Sequence, residues 1–233
     1  MSVLIGQASI DEHGRISGGA AGDQSGSELN IRNWYGYGWT LLIRAKDEKI
    51  AEKMADYCER IIKSRKAGYD QWQRNTLRQL LKSVRWNVDK LEPCETDCSA
   101  LMAVCAEAAG VDMSKAYTAG NAPATFQMRT QYAKTGAFDL LTDSKYLTSD
   151  KYLCRGDILV NEHHTCMVLT DGAKGGDERE MVEKSKIIVD GKEVPVERIL
   201  KNNTNYIKIR DLAAALGLKV GFQGSIATLD SKK

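Results

Sequence analysis

The spacing of apolar residues changes period several times along the chain, and each change predicts a different element. Apolar positions 50, 54, 58, 61 and 62 in "KDEKIAEKMADYCERIIKSRKAGYDQ" recur at helical spacing, which predicts an amphipathic helix closed by Gly68 near a C-cap. The preceding "WYGYGWTLLIR" alternates β-prone residues through Ile43 and predicts a strand. A second helix is predicted over "YDQWQRNTLRQLLKSVRW". A third is predicted over "CSALMAVCAEAAG", with Thr96 or Asp97 as N-cap and Gly110 at its end. In "SDKYLCRGDILVNEHHTCMVLTDG" we read a short helix, a turn at Gly156, a strand over Asp157–Val160 and a second strand from about His164 to Leu169. Residues 14–27 carry Gly and Ser between apolar segments and read as a structured loop.

Beyond Leu169 the apolar periodicity disappears, and charge and glycine concentrate over 173–185, which reads as a linker. The pattern then resumes with a hairpin turning at Asp190-Gly191, a strand near Tyr206–Ile209, a helix over Asp211–Leu216 capped by Gly217, and a last strand. The expected organisation is an α+β domain over 1–172 and a small α+β module over 186–233, near the lower size limit for independent stability.

Composition narrows the function by exclusion. The 33 basic and 31 acidic residues leave a net charge of +2 with no long block of one sign, so neither nucleic acid nor an anionic membrane is an expected partner. No stretch approaches the roughly 18 apolar residues of a membrane span, and the first residues lack a basic, then apolar, leader pattern. The expectation is a chain made and folded in the cytoplasm, where its 6 cysteines would remain thiols.

Three of those cysteines crowd into "CETDCSALMAVC". The periodicity puts Cys58 and Cys105 on apolar helix faces, as core residues, and Cys154 before the Gly156 turn as a structural residue. Cys98 differs, because a first helical turn offers unpaired N–H groups and a dipole that favour a thiolate. The chain has only 3 histidines, His13, His163 and His164, and the last opens a strand that could meet the start of the Cys98 helix. Two other readings stay open: Cys98 as a further core thiol, or Cys94, Cys98, His163 or His164, and Cys166 as a tetrahedral metal site.

These residues carry a family likeness. "TDCSALMAVC" resembles the Asp-Cys-Ser motif of NlpC-type bacterial cell-wall cysteine peptidases, and "RGDILVNEHHTCMVL" resembles their Gly-Asp strand followed by a histidine that opens the next strand. "GGAAGDQSGSELNIRNWY" and "GYDQWQR" are similar to segments of endolysins from clostridial phages and prophages, so the likeness covers roughly residues 5–172. The tail resembles a copper-amine-oxidase N-terminal-like stalk module, here as a single truncated copy, and implies no copper.

The resemblance implies a papain-like fold in which Cys98 is the nucleophile and His164 the general base. The third, orienting residue of such sites is missing from the strand after His164, which makes Asp23 and Gln24, with Glu28 behind them, the candidates for it. Tyr69, Asp97, Ser99 and Trp34 are the candidates for oxyanion or substrate binding, and the resemblance gives Trp34, Trp39 and Trp72 either a place along a groove for the sugar-peptide substrate or one in the core. No cofactor is implied. The implied substrate is the peptidoglycan of a Gram-positive, clostridial host. The enzyme would be held in the host cytoplasm until a separate membrane pore, a holin, releases it to the wall. The alternatives from other classes are a non-catalytic wall-binding or assembly protein with a vestigial cysteine site, and a metal-dependent hydrolase.

Overall fold

The structure, a computed structural model, describes residues 2–175, 182–201, 204–224 and 226–231. It divides into a unit Met1–Glu178 and a unit Arg179–Lys233, which we describe separately. The centre of the expected linker, residues 176–181, lies outside the described residues.

The first unit runs β1 (Leu4–Ala8), β2 (Leu29–Asn33), β3 (Leu41–Ala45), α1 (Glu48–Ser64), β4 (Ala67–Tyr69), α2 (Thr76–Ser83), β5 (Cys94–Thr96) and α3 (Cys98–Ala108). It continues with α4 (Thr125–Thr135), β6 (Phe138–Leu141), α5 (Ser144–Leu147), β7 (Ile158–Val160) and β8 (Thr165–Val168). Six strands form one antiparallel sheet in the order β2-β1-β8-β7-β3-β6, while β4 and β5 form a separate parallel pair. This mixed α+β architecture is the one the pattern predicts.

The sheet order decides where chemistry can occur. The first strand lies beside the last, with Ile5 opposite Val168 and Gly6 opposite Met167. A residue near the start of the chain therefore lies beside the histidine-bearing strand. Helix α3 carries Cys98 in its first turn, and every residue from Cys98 to Ala106 is buried. It is a central helix rather than an amphipathic surface one, which is why its sequence is apolar on all sides. Asp97 caps it, its side chain accepting from Ala100 N.

Several boundaries differ from the predicted ones, each for a local reason. Helix α1 ends at Arg65, which takes the left-handed conformation (φ 56°) itself, and Gly68 lies instead in β4. There a Cβ would collide with the Gly22 carbonyl and come within 2.9 Å of Glu95 Oε2. Helix α2 starts only at Thr76, because Asp70 Oδ1 accepts from Trp72 N and Gln73 N and holds that stretch as a turn. The strand expected across "WYGYGWT" begins only at Leu41, since 34–40 form an aromatic loop in which Trp39 Nε1 donates to the Tyr35 carbonyl at 3.0 Å. The short helix expected over "SDKYL" is a turn, and a short helix lies just before it, at Ser144–Leu147.

The second unit consists of β9 (Val182–Val189), β10 (Lys192–Lys201), β11 (Thr204–Ile207), α6 (Ile209–Ala215), β12 (Leu218–Gln223) and β13 (Ile226–Ser231). β9 and β10 are joined by the Asp190-Gly191 turn, with both residues at positive φ (49° and 75°), as a tight hairpin requires. The last strand predicted from sequence is a hairpin, β12 with β13. Among the described hydrophobic residues of this unit only Val196 and Ala213 are buried.

Candidate active site

Cys98 and His164 come from α3 and from the residue before β8. The Cys98 thiol is buried, and the backbone N–H groups of Thr165 and Ser99 point at its sulfur. Thr165 directly follows His164, so the thiol lies against the start of the histidine-bearing strand. Burial, reinforced by the Asp97 carboxylate, pushes the Cys98 thiol up to about 12 and outweighs these donors. Burial alone pulls His164 down to about 4. Both groups are therefore neutral at neutral pH.

The His164 ring is held by a residue the sequence did not single out. Its Nε2 lies 3.0 Å from Gln7 Oε1, and the Tyr35 hydroxyl donates to the same oxygen at 3.0 Å. Gln7 lies on β1, next to β8 in the sheet, where chain order gives no hint of a partner some 157 residues away. The legible clue was a polar residue at a strand position in an otherwise apolar run, "LIGQA". His164 is further enclosed by Tyr37, edge-on at 6.0 Å, and by Trp39 at 6.2 Å. His163 is exposed on the connecting loop and points to Glu162.

The other predicted residues fall into two groups. Tyr69 is buried close enough to Cys98 for the thiol to raise its phenol, second to burial, to about 12; its hydroxyl accepts from Gln71 Nε2 at 3.0 Å. Asp97 and Ser99 are locked beneath the site by Arg74, which pairs with Asp97 Oδ2 at 2.9 Å and donates to Ser99 Oγ at 2.7 Å. Arg74 also reaches the Pro123 carbonyl, so it ties the start of the Cys98 helix to the next loop.

Asp23 and Gln24 are not beside the His164 ring. Asp23 Oδ1 accepts from the backbone N–H groups of Gly26, Ser27 and Glu28, and Gln24 Nε2 donates to the Ala21 and Gly22 carbonyls. Glu28 is buried and accepts from Gln24 N and Tyr69 N, which fixes this loop to β4. Trp34 is partly buried against the smaller apolar cluster on the sheet, which includes Trp39, and Trp72 is 84% exposed.

None of the six cysteines forms a disulfide, and all six are buried. Cys58 and Cys105 meet in the core, as their periodicity predicts, and Cys154 Sγ donates to the Gly175 carbonyl. Among the described residues no three His, Cys, Asp or Glu side chains form a group that could hold a metal ion, so Cys94, Cys98, Cys166 and the histidines are not assembled as one. No described helix is long and apolar enough to cross a membrane.

No curated protein and no solved structure gives a significant match to the chain. A family model described as an endolysin-like domain matches residues 5–175, which takes in β1 with Gln7, the Cys98 helix and the His164 strand. The chain accordingly belongs to the endolysin-like domain family, and its coarse role is that of a cell-wall lytic protein directed at peptidoglycan.

Proposed function

We propose that the unit Met1–Glu178 is a cysteine-dependent peptidoglycan hydrolase of NlpC type that cleaves an amide bond, as an N-acetylmuramoyl-L-alanine amidase or a stem-peptide endopeptidase. The observation that carries this reading is the placement of Cys98 at the N-terminus of a buried helix, its sulfur against the N–H of Thr165, the residue that directly follows a histidine whose Nε2 is occupied by Gln7. That leaves Nδ1 of His164 as the nitrogen available for proton transfer.

With both groups neutral, the reaction starts as general-base catalysis rather than from a standing thiolate–imidazolium pair. Cys98 attacks the substrate carbonyl as His164 takes the thiol proton. The oxyanion develops near the backbone N–H of Cys98 and the Tyr69 hydroxyl. His164 then protonates the leaving amine, and water, activated by the same imidazole, releases the acyl group. Gln7 serves as the orienting residue for which Asp23 and Gln24 were the sequence candidates. The proposed setting is a phage or prophage lysin of a Gram-positive, clostridial host, held in the cytoplasm until a membrane pore opens.

The test is the chemistry of the products from purified Gram-positive peptidoglycan. New amino groups without new reducing sugar ends are expected. Lactyl-muramic sugar freed of peptide identifies the amidase, and a shortened stem still on its sugar the endopeptidase. New reducing ends would sink the proposal. The buried, high-pKa thiol favours one rival reading, a wall-binding protein with a vestigial site. Wall binding with no soluble fragments would establish it.

A further inference from the structure

We infer that the proton of His164 is placed by a hydrogen-bond chain that begins at a backbone carbonyl, with Asn30, Gln7 and Tyr35 as positioning residues. This rests on the cysteine-hydrolase reading for its consequence, though not for its geometry.

The chain starts at an atom whose role is fixed. The Ser27 carbonyl can only accept, and Asn30 Nδ2 donates to it at 2.9 Å. Asn30 must therefore turn its Oδ1 the other way, toward Gln7, its direct cross-strand partner in the β1–β2 pair. An amide oxygen can only accept, so Gln7 meets it with Nε2, at 3.3 Å. That in turn leaves Gln7 Oε1 on the opposite side, where it faces the Tyr35 hydroxyl and His164 Nε2, each at 3.0 Å. Oε1 cannot donate. A neutral His164 in contact with it must carry its hydrogen on Nε2, and Nδ1 is left bare as the base.

Each link is held by something outside the chain. Ser27 is positioned by its own N–H donating to Asp23 Oδ1 at 3.1 Å, which gives Asp23 an indirect part in the site. Tyr35 is braced by Trp39, whose Nε1 donates to the Tyr35 carbonyl, and by Arg32, which stacks 4.6 Å over its ring. A flip of the Gln7 amide would set its oxygen against Asn30 Oδ1, two acceptors with no hydrogen between them, and Tyr35 anchors the unflipped amide by its donation to Oε1. The wrong histidine tautomer would present N–H to the cysteine and remove the base, a loss that known triads show to be severe.

The tautomer can be read directly by 15N NMR of histidine-labelled full chain at neutral pH, helped by the presence of only 3 histidines. The parent is expected to show protonated Nε2 and bare Nδ1 at His164. Asn30→Ala and Tyr35→Phe are expected to mix the tautomers and to lower kcat about 10- to 100-fold with little change in KM. Asn30→Asp keeps an acceptor for Gln7 Nε2 and is expected to retain the parent tautomer and most of the rate, which separates positioning from loss of fold. A protonated Nδ1 in the parent overturns the inference. So does an unchanged tautomer and rate in both Asn30→Ala and Tyr35→Phe. Should the parent show the expected tautomer while Cys98→Ala still lyses walls, the hydrolase mechanism fails and the hydrogen-bond assignment stands.

Discussion

His164 is neutral because it is buried, and burial has a pH signature. Its folded pKa of about 4 lies below the ordinary 6.5, so protonation favours the unfolded chain. The stability this contributes is complete above 6.5 and is lost as pH falls through 4. We expect His164→Gln to flatten that part of the stability–pH curve, by on the order of 1–2 kcal/mol after solvent screening of a partly buried ring. Equilibrium denaturation at pH 4.5 and 7.5 checks this, and identical parent and variant slopes would contradict it. For activity, the acid limb of kcat/KM should fall well below pH 6, because His164, the proposed base, stays unprotonated down to about 4. The positions of Cys98 at a helix start and of His164 just before a strand were legible in the sequence. The Gln7–His164 contact was not, because it comes from β1 joining β8, a pairing across nearly the whole first unit that no local pattern encodes.

At the scale of elements, the parallel pair β4–β5 supports the site from below and carries an unusual concentration of acid. Glu95 is 2% exposed, neither of its carboxylate oxygens has a hydrogen-bond partner, and burial together with Glu28, Asp70, Glu12 and Asp11 pushes its pKa to about 8. A folded pKa above the ordinary 4.5 means the protonated form favours folding; that stability is complete below 4.5 and is lost as pH rises through 8. Glu95→Gln is therefore expected to stabilise the protein at pH 8.5 by roughly 1–2 kcal/mol and to change little at pH 5. A loss of stability at both pH values would show that the carboxylate is needed as such. Gly68→Ala in the same pair should cost about 1–3 kcal/mol, because its Cβ meets the Gly22 backbone and Glu95. Element types followed from periodicity for α1, α3, β7 and β8, whereas the section after Gly110, polar and loop-rich in sequence, holds α4, β6 and α5, and the short strands β1, β2, β4 and β5 carry too few residues for a period to show. Element ends did not follow from it where a side chain intervened, as at Asp70, which delays α2.

For the molecule as a whole, the two units differ in how much they bury. The first holds two apolar clusters on the faces of one sheet and a nearly solvent-free ion pair, Arg44 Nη2 to Asp157 Oδ2 at 2.6 Å. Removing the cation by Arg44→Met leaves a buried carboxylate and should cost about 3–5 kcal/mol, read as a fall in melting midpoint. The domain end expected at residue 172 falls within a packed segment. Gly172 and Gly175 lie where a Cβ would strike the backbone of 150–153, and Cys154 Sγ donates to Gly175 O. A chain ending at Glu178 should melt like the first unit of the intact protein, and one ending at Asp171 should melt lower. Equal midpoints would show that this last segment adds nothing. The glycines of this last segment carry no apolar signal, so the hydrophobic pattern says nothing of their packing.

The central claim, that the wall is cut through Cys98, is most directly tested by the release of soluble amine-bearing fragments from purified Gram-positive peptidoglycan. The assay compares parent and Cys98→Ala at equal folded concentration. The account expects steady release by the parent and none above background from the variant. Equal release by both would contradict it.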